Sequence, residues 1–151
     1  KRRCNMKITF VCVGNTCRSP MLKALFEDYA KAHSFHCQVE SAGLSVTDGR
    51  ISHFTENMLL ECGICVQNQN TTTLDKALVD SSDLIVAVDK FVAERVVIFG
   101  GENKVYSLSS PLLLGRDMMD PYGQGQEAYR AVFEEAKRAL PKILALAKML
   151  G

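Results

Sequence analysis

The fold is decided by residues 7–20, which read KITFVCVGNTCRSP. The first half of this stretch is apolar and suited to a β-strand, and it predicts a buried strand over residues 7–13. Gly14-Asn15-Thr16-Cys17-Arg18 interrupts the strand. Ser19 and Pro20 are expected to open a helix, because serine is a good N-cap and proline suits the first helical turn. A buried strand that leads directly into a helix is typical of an α/β fold with a parallel sheet.

The rest of the chain continues this alternation of strands and helices. Three further strands are predicted at residues 38–41, 84–88 and 105–108. Four further helices are predicted. They cover residues 54–61, a segment that ends near residue 79, residues 91–98 and residues 127–150. Thr72 and Asp75 have the spacing of a capping box for the second of these helices, and Pro141 is expected to kink or divide the last. We find no repeat or linker, so the chain is expected to form one domain.

The composition excludes several classes of protein. The net charge is +1 and 23% of the residues are charged, which argues against binding to nucleic acid or to a membrane surface through bulk charge. No apolar run approaches the roughly 20 residues of a membrane-spanning helix, and no export signal is recognised, so we expect a cytoplasmic protein. Residues 1–5 are expected to be a tail or a cloning remnant, and residues 6–151 the folded domain.

The interruption between strand and helix has the form C-x5-R-S, from Cys12 to Ser19. A short loop entering a helix directs backbone N–H groups and the positive end of the helix dipole at one point, which suits a phosphate dianion. Arg18 can hold two phosphate oxygens, and the same field favours the nucleophilic thiolate of Cys12. Gly14 is expected to permit a tight backbone, Asn15 to brace the loop through its amide, and Ser19 to donate a hydrogen bond to the thiolate. The residues expected to surround the phosphate are Val13, Gly14, Asn15, Thr16, Cys17, Arg18 and Ser19.

This stretch resembles the signature of the low-molecular-weight protein tyrosine phosphatases, which the chain carries as VCVGNTCRSPM over residues 11–21. Asp120-Pro121-Tyr122 resembles the general-acid loop of that family, and Ser41-Ala42-Gly43 resembles its segment after the second strand. The resemblance extends over nearly the whole chain from Met6. It implies a single three-layer α/β/α domain whose four-stranded parallel sheet has the order 2-1-3-4.

The resemblance also implies the role of each matching residue. Cys12 is the nucleophile, Arg18 binds the phosphoryl group, and Asp120 is the general acid and base. The reaction passes through a phosphocysteine and needs no metal or other cofactor. Asp117 is a competing acid near Asp120, but it lacks the following proline. Tyr122 is expected to form a wall of the substrate cleft or to cover the loop.

Phosphorylated proteins are the expected substrates, with phosphotyrosine as the first candidate and phosphate or another oxyanion in the active site. Thr16 departs from the Ile or Leu of many tyrosine-specific members and resembles bacterial phosphoarginine phosphatases. A hydroxyl suits a guanidinium group, so phosphoarginine is the alternative, unless Thr16 only packs. Gly123 stands where animal members often have a second aromatic residue, which makes the chain look bacterial. Residues 44–54 depart from the usual proline-rich pattern and indicate no recognition residue.

The other cysteines leave further alternatives open. Cys17 either forms a reversible disulfide with Cys12, as the family resemblance suggests, or is a packing thiol. Cys62 and Cys65 form a C-x-x-C pair, with no second ligand pair for a metal. Thioredoxin-coupled arsenate reductases share the C-x5-R loop and use two further cysteines, so arsenate reduction is a weaker alternative. A non-catalytic phosphate-binding module is disfavoured, because the nucleophile, the arginine and the acid are all present.

Overall fold

The structure is a computed structural model that describes residues 5–66 and 69–151. The residues of the expected tail lie outside these ranges except for Asn5. The strands are β1 (Met6–Cys12), β2 (Cys37–Gly43), β3 (Leu84–Ala87) and β4 (Val105–Ser107). The helices are α1 (Arg18–Ala32), α2 (His53–Glu61), α3 (Lys76–Ser81), α4 (Lys90–Ile98) and α5 (Gln126–Leu150).

The four strands form one parallel sheet of order β2-β1-β3-β4, which confirms the predicted topology. Ile8 of β1 pairs with Val39 of β2 on one side and with Leu84 of β3 on the other. The strand order reverses at β1, and ligands of such sheets bind beyond the carboxyl end of a strand at this reversal. The sheet therefore places the loop after β1 where a ligand site is expected.

Helices cover both faces of the sheet. The helices α1, α2 and α5 contact one another, whereas α4 packs on β3 and β4. Crossovers between parallel strands are right-handed. The β1-α1-β2 unit and the β3-α4-β4 unit progress across the sheet in opposite directions, so α1 and α4 lie on opposite faces of the sheet. Phe10 of β1 and Phe26 of α1 meet edge to face in the core, with ring centroids 5.8 Å apart. In residues 5–66 and 69–151, no helix is long and apolar enough to cross a membrane.

Two predictions about helix caps are wrong. Helix α1 begins at Arg18 with Cys17 as N-cap, so Ser19 lies inside the first turn and does not cap it. Asp75 alone caps α3, through a 2.8 Å hydrogen bond from Leu78 N to its Oδ1. Pro141 does not divide α5, which runs unbroken through it, and the alternative of a kink at this residue stays a prediction. The buried apolar stripe of α5 explains the unbroken helix, because tertiary packing can compensate for the hydrogen bond that a proline removes.

The close backbone approach in this region occurs at Gly43, not at Gly14 as predicted. A Cβ on Gly14 would have its nearest neighbour at 3.8 Å, an ordinary contact. A Cβ on Gly43 would lie 2.7 Å from the carbonyl oxygen of Val13 and 3.0 Å from Asn15. The last residue of β2 therefore packs its backbone directly against the loop that follows β1.

We expect Gly43→Ala to destabilise the fold by about 1–3 kcal/mol, because the added methyl group must displace loop backbone and not a flexible side chain. Urea denaturation measures the free energy of unfolding. Gly49→Ala is the control, since a Cβ there meets nothing within 4 Å. An unfolding free energy of Gly43→Ala equal to that of the control would contradict the close approach.

Candidate active site

Cys12 is the last residue of β1, and its sulfur is buried at the base of the loop that leads to α1. The backbone N–H of Asn15 donates a hydrogen bond to Cys12 Sγ over 3.1 Å, and Ser19 Oγ lies 2.9 Å from the same sulfur. No side chain caps the start of α1. Unpaired N–H groups at a helix start attract anions. The sulfur thus lies in a pocket built from hydrogen-bond donors.

Asn15 holds the loop in its turned conformation, as predicted. Its φ is 59°, in the left-handed region that asparagine tolerates better than most residues. The buried side-chain amide donates to Ser19 Oγ over 2.8 Å and to Ser41 Oγ over 3.1 Å, and its Oδ1 accepts from Thr72 N at 2.7 Å. Three chain segments are therefore joined through one amide.

The hydrogen bonds of Asn15 also orient the hydroxyl of Ser19. Since Ser19 Oγ accepts from the Asn15 amide, its own proton is available to another acceptor. Cys12 Sγ is 2.9 Å away, whereas the competing carbonyl oxygen of Ala42 is 3.4 Å away. The geometry favours donation from Ser19 to the sulfur, which matches the prediction for this residue. Neither Asn15 nor Ser19 lines the open cleft, so both buried residues stabilise the loop from the side that faces the protein interior.

Arg18 is buried, and its guanidinium is fixed from two sides. Its Nη1 donates to Asp89 Oδ2 over 3.0 Å and to the Met118 carbonyl over 2.9 Å. Asp89 was not predicted as a site residue. Its Oδ1 also caps α4 by accepting from Val92 N at 2.8 Å. The sequence does contain a signal that could have identified Asp89 as a site residue. Asp89 follows the buried strand β3 and therefore lies at the same edge of the sheet as Cys12.

Asp120 lies beside the guanidinium of Arg18. Its Oδ2 is 3.7 Å from Arg18 Nη2, and its Oδ1 accepts a hydrogen bond from Tyr122 N at 3.0 Å. The side chain is 54% exposed, so the carboxyl is open to a ligand and to water. Asp117, the competing acid, instead accepts from Lys90 N at 3.0 Å and does not line the cleft.

A cleft of about 210 Å³ brings the predicted residues together. Cys12, Arg18, Asp120, Thr16 and Tyr122 all line it, although they come from distant parts of the chain. A further wall of the cleft was not predicted and consists of Ser45, Thr47 and Asp48. Cys62 and Cys65 do not reach the cleft. In residues 5–66 and 69–151, no three His, Cys, Asp or Glu side chains form a group suited to a metal ion.

Cys17 is a buried free thiol beside the cleft. Burial raises the pKa of Cys17 to about 12, although a hydrogen bond with the Thr55 side chain partly offsets this effect. At neutral pH the residue is therefore a neutral thiol. Cys12 is also free, so the structure represents the unpaired form of both cysteines, and their disulfide stays a prediction.

Comparison with known proteins agrees with this geometry. A family model described as low molecular weight phosphotyrosine protein phosphatase matches residues 7–150. A protein-arginine-phosphatase of Bacillus subtilis is 32% identical over 142 residues, which cover 91% of this chain and 94% of that protein. The low molecular weight protein-tyrosine-phosphatase PtpB of Staphylococcus aureus is 29% identical over 143 residues, with coverage of 91% and 96%.

The most informative structural match is a mutant of YwlE arginine phosphatase that carries a phosphorylated active-site serine. It aligns with a TM-score of 0.88 at 29% identity and covers 97% of this chain and 100% of that one. Sequence, fold and site geometry thus agree with one another. The chain belongs to the low molecular weight phosphotyrosine protein phosphatase family.

Proposed function

We propose that this protein is a protein phosphatase that works through a phosphocysteine on Cys12. The observation that carries the proposal is the arrangement of a buried thiol, a fixed guanidinium and an open carboxyl around one cleft. We assign the activity to a domain of residues 6–151. We also assign it to the cytoplasm, because the mechanism requires a free thiol and reducing compartments preserve thiols.

In the first step, the phosphate dianion of the substrate is held by the loop N–H groups and by Arg18. The Cys12 thiolate attacks phosphorus in line with the leaving atom, so that an S–P bond forms while the bond to the leaving atom breaks. Asp120 donates its proton to that leaving atom. The guanidinium and the N–H groups stabilise the charge on the three equatorial oxygens.

In the second step, water attacks the phosphocysteine. Asp120, now a carboxylate, accepts a proton from the water as the new P–O bond forms. The S–P bond breaks and the electron pair returns to sulfur. Ser19, 2.9 Å from Cys12 Sγ, stabilises the departing thiolate by donating a hydrogen bond from its hydroxyl. Inorganic phosphate is released and the enzyme returns to its starting state.

The substrate is a phosphorylated side chain on a protein, and two classes fit the cleft. Phosphotyrosine is the first, with Tyr122 as the aromatic wall. Phosphoarginine is the second, and a specific observation favours it. Ser45, Thr47 and Asp48 form a polar wall of the cleft, and such a wall suits a guanidinium better than a phenyl ring.

We expect Asp120→Ala to lower kcat/KM for phenyl phosphate by about 10²–10⁴-fold, since this parameter reports formation of the phosphocysteine and this leaving group needs a proton in that step. The loss for p-nitrophenyl phosphate should be much smaller, because nitrophenolate leaves without one. Steady-state kinetics on both substrates measure the difference. Equal losses would remove Asp120 from the acid role, and turnover by Cys12→Ser would contradict the phosphocysteine.

We expect Asp89→Asn to lower kcat/KM for p-nitrophenyl phosphate by about tenfold, because hydrogen bonds to charged groups contribute roughly 1.5–3 kcal/mol and hold Arg18 in place. Asparagine retains an oxygen for the N-cap of α4, so the helix should persist. Asp75→Asn is the matched control, since Asp75 caps α3 in the same way but does not contact Arg18. Equal kinetics of the two variants would exclude a positioning role for Asp89.

We expect Thr16→Ile to shift the ratio of kcat/KM for phosphotyrosine and phosphoarginine peptides about tenfold toward phosphotyrosine, because the polar cleft wall becomes more apolar. Thr16→Val is the companion variant, as it removes the hydroxyl with little change in volume. A shift in both variants assigns the effect to the hydroxyl. An unchanged ratio in both would make Thr16 a packing residue.

A further inference from the structure

A second groove, of about 340 Å³, adjoins the catalytic cleft. Thr16, Asp48 and Tyr122 line both spaces, so these side chains form the boundary between them. The remaining walls come from the start of α2 and from the loop before α5. A protein substrate with its phosphorylated side chain in the catalytic cleft can therefore place a neighbouring residue in this groove.

Stacked rings are the main feature of the groove. The rings of His53 and Phe54 have centroids 4.4 Å apart, and those of Phe54 and Tyr129 are 4.8 Å apart. Tyr129 is buried on α5, whereas His53 is exposed at the surface. Burial raises the pKa of Tyr129, which keeps the innermost ring a neutral phenol. The stack thus extends from the core to solvent and presents ring surface to the groove.

The ring stack has a fixed position relative to the loop between Cys12 and Arg18. The carbonyl oxygen of Thr16 accepts hydrogen bonds from Ser52 N at 2.8 Å and from Thr55 Oγ1 at 3.2 Å. These bonds join the first turn of α2 to the loop between Cys12 and Arg18. A side chain bound in the groove therefore lies at a defined distance from the reacting phosphorus.

The charges that line the groove favour neither an acidic nor a basic ligand. Asp48 and Arg50 carry opposite charges, and Arg50 is already 3.8 Å from Glu56 Oε2. Gly123, on the side of the loop before α5, contributes no side chain to fill the space. Ring surface without a net charge suits another ring, because aromatic pairs attract each other beyond their buried area.

We propose that this groove is an accessory subsite that binds an aromatic side chain adjacent to the phosphorylated residue of a protein substrate. The proposal rests on the proposed phosphatase function, since it is the phosphoryl group in the catalytic cleft that brings the neighbouring residue here. The subsite acts through binding, so an aromatic neighbour should lower KM and leave kcat nearly unchanged.

The test uses pairs of phosphotyrosine peptides that differ only in having Phe or Ala beside the phosphorylated residue, on either side. We expect the Phe peptide of one pair to be preferred by about 3- to 10-fold in kcat/KM, the range of a single aromatic pair. Phe54→Leu should remove most of this preference, because leucine keeps apolar bulk but not the ring. The Ala peptide is the internal reference, as any general disturbance of the fold lowers both rates together.

Phe99→Leu is the matched control, a partly buried phenylalanine at the end of α4 and outside the groove, and it should retain the preference. Dissociation constants of the same peptides on the Cys12→Ala protein, which has no nucleophile at this position, measure the preference without a reaction. Absence of turnover of both phosphotyrosine and phosphoarginine peptides by the wild type would reject the proposed function, while these constants still test the subsite. Equal binding of the Phe and Ala peptides would overturn the subsite.

Discussion

The catalytic loop depends on the side-chain amide of Asn15. A positive φ at this residue turns the chain back toward Cys12, and its own backbone N–H then donates to the sulfur. The amide stabilises this turn through Ser19, Ser41 and Thr72, which belong to three separate segments. A buried network of this kind is stable only when every polar atom has a partner. The loop thus requires the docked ends of β2 and of the segment before α3.

Arg18 shows the same dependence on distant parts of the chain. Its partner Asp89 follows β3, and its second partner, the carbonyl of Met118, belongs to the loop that carries Asp120. Met118 N in turn donates to the carbonyl of Val88 at the end of β3, over 3.0 Å. The acid-bearing loop and the arginine are therefore both aligned by the carboxyl end of one strand. Because these contacts span the sheet, the site forms only when the whole domain is folded.

Much of this arrangement could be predicted from the sequence. The strands follow from apolar runs such as residues 84–88, and Cys12 and Arg18 lie together because a strand, a short loop and a helix succeed one another. Local patterns could not predict which side chain takes which partner. Ser19 has the chemistry of an N-cap, but the Asn15 amide and the Cys12 sulfur engage its hydroxyl instead. Asp89 was missed because its contact with Arg18 joins residues far apart in sequence.

The segment between β2 and α2 could not be interpreted from the sequence, and its hydrogen bonds explain why. It is attached to the catalytic loop through backbone atoms, with Leu44 N bound to the Cys12 carbonyl at 3.0 Å and Ser45 N bound to the Val13 carbonyl at 2.9 Å. The backbone carbonyl of Asp48 likewise accepts from Thr71 Oγ1 at 2.6 Å. Side chains in this segment can therefore change without disturbing the phosphate loop.

This separation has a consequence for specificity. Cys12 and Arg18 are held by buried contacts, whereas the cleft wall formed by Ser45, Thr47 and Asp48 is built on the exposed segment between β2 and α2. The same segment leads into the ring stack at the start of α2. Members of one family can thus retain a reaction and exchange its substrate by altering one stretch of chain. In this protein that stretch contributes a polar, acidic wall to the cleft and leads into the aromatic groove, so the proposed phosphoarginine preference and the proposed aromatic subsite both depend on it.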